Sequence, residues 1–75
     1  MKKTYFLFGE KACSVYAESG IDRLLSHIRM GRVEATVFEF IHGTTSPVDL
    51  LYAFLGHGDY AVINDREYRR LKKLV

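Results

Sequence analysis

The apolar positions near the start of the chain do not alternate. By the two-residue period of a strand, Tyr5 and Leu7 point one way and Phe6 and Phe8 the other. A strand that is apolar on both faces is covered on both sides, which predicts a central place in a sheet. Gly9 then stands at the first central position of a two-residue turn, as a type II′ hairpin requires. Cys13 and Val15 alternate with Ser14 and Tyr16, so residues 12–17 are expected to return as the second strand.

Downstream the period changes. Ile21, Leu24, Leu25 and Ile28 recur at helical spacing behind Ser19 and Asp22, a variant of the capping box, and Gly31 is the expected stop. Val33 to Ile41 is rich in β-branched and aromatic residues and reads as a strand. Ser46-Pro47-Val48-Asp49 supplies an N-cap hydroxyl, proline at N1 and an acid in the first turn, so a second helix begins there and ends near Gly56 and Gly58. Tyr60 to Ile63 is a short strand. Asn64 followed three residues later by Glu67 opens a third helix that runs toward Val75. These signals predict a single compact α+β domain over residues 1–75, of order ββαβαβα. It would hold a four-stranded mixed sheet with an N-terminal β-hairpin and three helices.

The second helix is more apolar than packing on one side of a sheet requires. Val48, Leu51, Tyr52 and Leu55 form one face, Leu50 and Phe54 widen it to an arc of about 200°, and only Asp49 and Ala53 are left for water. Leu50 and Phe54 are therefore the expected partner-interface residues, either against another protein or against a second copy in a homodimer. Cover by the first or third helix of the same domain is the competing account.

Composition bounds the function classes. In a chain of 75 residues with 48% hydrophobic side chains, stability rests on ordinary packing, because the single Cys13 cannot form an internal disulfide. His27, His42, His57 and Cys13 are too evenly spread for a structural zinc site, so neither metal nor cofactor is expected. Lys2 and Lys3 precede an apolar run that ends at Gly9, well short of a signal peptide, and no segment approaches the ~20 apolar residues of a membrane span. With a lone thiol, this favours a cytoplasmic protein with no membrane contact.

The formal charge of +2 is unevenly placed. Residues 1–63 carry six basic and seven acidic groups, whereas residues 64–75 carry five basic and two acidic ones. On the last helix Arg66, Arg69, Arg70 and Lys73 share one side, opposite Tyr68, Leu71 and Leu74. Such a stripe can track phosphates or clamp an acidic partner, although a solvated helix face also needs charge and cations suit a helix C-terminus. The connection from Ile41 to Pro47 could offer backbone N–H groups to an anion, but it has no phosphate-loop glycine pattern and is what any helix start resembles.

Catalysis would have to run through Cys13 with His42 or His57, oriented by Asp59. A small thiol among Ala12, Val15 and Ala17 is more simply a packed side chain. The expected role is thus a non-catalytic binding module or regulator acting through protein contacts, with no small-molecule substrate. Nucleic-acid binding through the basic C-terminal helix is the alternative.

Overall fold

The computed structural model describes residues 2–75. Its elements run β1 (Lys3–Phe8), α1 (Glu10–Arg29), β2 (Thr36–Ile41), α2 (Pro47–His57), β3 (Tyr60–Ile63) and α3 (Asp65–Lys72). The three strands form one sheet in the order β2-β1-β3, with β1 antiparallel to both neighbours. The order is therefore βαβαβα and the sheet is three-stranded and antiparallel. This corrects the expected four-stranded mixed sheet and its N-terminal hairpin.

The expected return strand is the first half of α1. Ala12, Val15 and Tyr16 stand at i, i+3 and i+4, so a six-residue window that satisfies a period of two also satisfies a period of 3.6. Glu10, Lys11 and Ala12 are strong helix formers, and the helical solution sends Ala12 fully into the core. Gly9 consequently turns the chain from strand to helix rather than from strand to strand, with φ 122° and ψ 129°. Ser19 and Gly20 do mark a break: Gly20 has φ 83° and ψ −179°, and α1 bends there, so Ile21 to Arg29 forms a segment of its own. The stop at Gly31 is as expected, with Gly31 N–H donating to the Ile28 carbonyl and Arg32 N–H to that of His27.

The other start signals act as the sequence indicates. Ser46 Oγ accepts from Val48 N–H at 3.2 Å with Pro47 at N1. Asn64 and Glu67 form a reciprocal capping box at 2.8 and 3.2 Å. The strand expected from Val33 begins at Thr36, and Val33 instead buries its side chain ahead of it.

The helices divide between the two faces of the sheet. Leu7 and Ile63 pack with Ala12, Leu24 and Leu25 of α1 and Leu71 of α3, with Tyr5, Val37, Ala61 and Tyr68 around them. This is the main core. Tyr5 and Tyr68 hold rings 4.5 Å apart, and Tyr16 of α1 donates to Glu67 Oε1 of α3 at 2.8 Å. Among the described residues, the opposite face, carrying Phe6 and Phe8, has α2 as its one helix.

Two outcomes follow from this packing. A Cβ at Gly9 would lie 3.0 Å from the Glu34 carbonyl oxygen, on a backbone that side chains rarely adopt. Gly9→Ala is expected to lower the unfolding free energy by about 2 kcal/mol in urea titrations. Gly56→Ala, which meets nothing within 4 Å, should leave it unchanged or slightly raised.

Burial, the hydrogen bond to Glu67 and the Glu67 charge push the Tyr16 phenol up to about 12. The raised value makes the protonated phenol the stabilising form. Its contribution is complete below the ordinary tyrosine value near 10 and is lost as pH rises from there through about 12. Urea midpoints measured between neutral and strongly alkaline pH should fall less steeply for Tyr16→Phe than for the wild type.

Candidate interaction surface

On the second face of the sheet, β1 contributes Phe6 and Phe8, β2 contributes Phe38 and Phe40, and β3 contributes Tyr60 and Val62. One aromatic side chain from α2 organises them. The Phe54 ring lies 5.4 Å from Phe6 and 5.6 Å from Phe8, both edge to face, and 4.7 Å from Tyr60. Phe8 also meets Phe38 at 6.5 Å and His57 at 5.4 Å. Such aromatic pairs contribute about 0.5–1.5 kcal/mol each beyond the area they bury.

Leu50 and Phe54 are thus placed on the sheet side of α2, where both are half-buried, with Ala53 between them. The rest of the apolar arc turns outward. Val48, Leu51, Tyr52 and Leu55 are 55–74% exposed, and no residue of α2 is fully buried. Tyr60 and Val62 of β3, more than half exposed, lie on the sheet face that α2 packs against. The outward group was visible in the sequence, since its spacing is i, i+3, i+4, i+7. Position on the helix wheel could not say which of two apolar stripes would meet the sheet.

The basic face of α3 is partly occupied by its own domain. Arg70 Nη2 donates to Asp22 Oδ1 of α1 at 2.7 Å, and Arg69 Nε lies 3.2 Å from Asp65 Oδ2 one turn earlier. Arg66 and Lys73 are exposed and make no ion pair among the described residues. The four cations therefore divide two and two. These pairs are solvent-exposed and worth under about 1 kcal/mol each, so they orient side chains more than they stabilise the fold.

Cys13 lies in α1, not in a strand, and its thiol donates to the Leu7 carbonyl at 3.5 Å. Burial, assisted by the charge of Asp59, pushes the thiol pKa up, which disfavours the thiolate a nucleophile needs. Two open grooves of about 530 and 520 Å³ flank the N-terminal end of α1. His57 lines the first and Cys13 with Asp59 the second, so the suggested catalytic partners are split between them. His42 instead lies on the exposed rim, with Nε2 2.8 Å from Thr4 Oγ1. Among the described residues no group of three or more His, Cys, Asp or Glu side chains could hold a metal ion, and no helix is long and apolar enough to cross a membrane.

No family model, curated protein or solved structure matches this chain.

The opposed stripes of α2 predict opposite responses to substitution. Phe54→Ala should cost about 2–4 kcal/mol, because it removes the ring that joins the helix to Phe6, Phe8 and Tyr60. Leu55→Asp, at a position 74% exposed, should stay within about 0.5 kcal/mol of the wild type. Urea or thermal unfolding followed by far-UV circular dichroism measures both.

Proposed function

We propose that this protein is a small non-catalytic binding module or regulator that acts through protein–protein contacts, docking by the outer stripe of α2. The observation that carries this reading is the exposure of Val48, Leu51, Tyr52 and Leu55 at i, i+3, i+4 and i+7 along α2. Scattered single apolar residues on a surface need no explanation. Four on one stripe of a single helix do. The cytoplasmic setting expected from the unpaired cysteine accompanies this reading.

The sheet-side placement of Phe54 moves the contact residues one stripe around the helix. Leu50 and Phe54 support the surface from beneath, and the partner meets Leu51, Tyr52 and Leu55. Nucleic-acid binding through α3 draws less support, because Arg69 and Arg70 already face Asp65 and Asp22. Removing them from those carboxylates would offset part of any gain on phosphate.

A photoreactive phenylalanine analogue separates the two readings. Placed at Tyr52 in the native cell, it should give a discrete adduct of protein mass that survives nuclease, while the same analogue at Arg66 gives none. Nuclease-sensitive adducts at Arg66 with nothing at Tyr52 would overturn the assignment.

A further inference from the structure

We infer that α2 is a hinged flap, which leaves the sheet as a unit and uncovers Phe6 and Phe8 while the three strands, α1 and α3 stay folded. The main core makes this separation possible. Its cluster around Leu7, Leu24 and Leu71 takes no side chain from α2, and none from α2 packs at its margin. α1 and α3 bury Ala12, Leu24, Leu25 and Leu71 there and are tied to one another, Tyr16 donating to Glu67 and Arg70 to Asp22.

α2 has no such ties. None of its residues is fully buried, and what seats it is the Phe54 ring against Phe6, Phe8 and Tyr60, with His57 set against Phe8. Hydrogen bonds on either side set the limits of the flap. Upstream, Thr44 and Thr45 N–H both donate to the Ile41 carbonyl, and Thr45 Oγ1 accepts from Ile41 N–H, which fastens residues 41–45 to the end of β2. Downstream, Gly9 N–H donates to the Asp59 carbonyl and holds the start of β3. Between these anchors, residues 46–58 make no hydrogen bond or ion pair to the rest of the described residues; the bonds from Val48 and Leu50 run to Ser46 within the segment. Gly58, at φ 75° with nothing within 4 Å of a Cβ, is the hinge at one end, and exposed Ser46 is the hinge at the other.

An isolated helix of 11 residues is marginal in water. Once off the sheet, α2 therefore loses its helical hydrogen bonds, and its amides report the opening. Phe6 and Phe8, 7% and 1% exposed while α2 is seated, then lie open beside Tyr60, which is already 54% exposed. The apolar area that these rings and Phe54 regain on closing keeps the closed form dominant. The motion belongs to the free chain, so it stands apart from any partner of the outer stripe.

Native-state hydrogen exchange of the purified protein, followed amide by amide at urea concentrations below the unfolding transition, tests the flap. The amides of residues 51–57 should share one opening free energy, with protection at least about tenfold below that of β1 and α1 and a shallower but measurable dependence on urea. Ile63→Val supplies a second arm, because Ile63 belongs to the main core on the face away from α2. It should speed exchange in β1 and α1 about 2- to 10-fold and leave the α2 amides at their wild-type rates, since closed and open forms share that core. Amides of α2 that exchange at the free energy of β1, or that speed up with Ile63→Val, would overturn the flap. Exchange that only quickens toward the helix ends, with no dependence on urea, is fraying and would overturn it as well.

Discussion

The structure depends on burying both faces of one strand. In β1, Leu7 and Tyr5 demand cover on one side while Phe6 and Phe8 demand it on the other, and no placement at a sheet edge or on a half-solvated sheet satisfies both. The central position, flanked by β2 and β3, follows from that constraint. So does the division of the helices, two on the Leu7 face and one on the Phe6 face. In a chain of 75 residues this division leaves the second face with the thinner layer. A small domain has too little chain to complete two full layers of cover, and its remaining apolar surface falls where the cover is single.

That shortage links the fold to the proposed function. The outer stripe of α2 is exposed because Phe54 anchors the other stripe, and no described residue lies over it. Phe54 and the sheet aromatics form a base on which the surface is presented at a defined orientation.

Local chemistry was legible wherever a signal required only neighbours in sequence. Ser46 with Pro47, Asn64 with Glu67, and Gly31 each act within a single turn, and all three appear where the chain indicates. The two-faced character of β1 was legible for the same reason. Residues 10–17 were not, because Ala12, Val15 and Tyr16 satisfy strand and helix periods alike over so short a run. What settled the matter was the contact of Ala12 with the core and the tight approach of Gly9 to Glu34, both made by residues distant in the chain. The ion pairs of α3 behave similarly: the Arg69 pair with Asp65 is one helical turn and readable, whereas the Arg70 pair with Asp22 joins two helices through partners that stand 48 residues apart in the sequence.

By itself the sequence determined a small α+β domain, a central apolar strand, the starts of α2 and α3, and a second helix with more apolar surface than one sheet can use. Those properties rest on composition, period and capping, which are local. Tertiary structure alone decided that the sheet has three strands, that β2 and β3 both flank β1, and that Phe54 rather than Leu51 faces the sheet. The two stripes of α2 are similarly apolar, so hydrophobicity could not rank them. The choice lies in shape, in the fit of the Phe54 ring against Phe6, Phe8 and Tyr60, three side chains on two strands that only folding brings together.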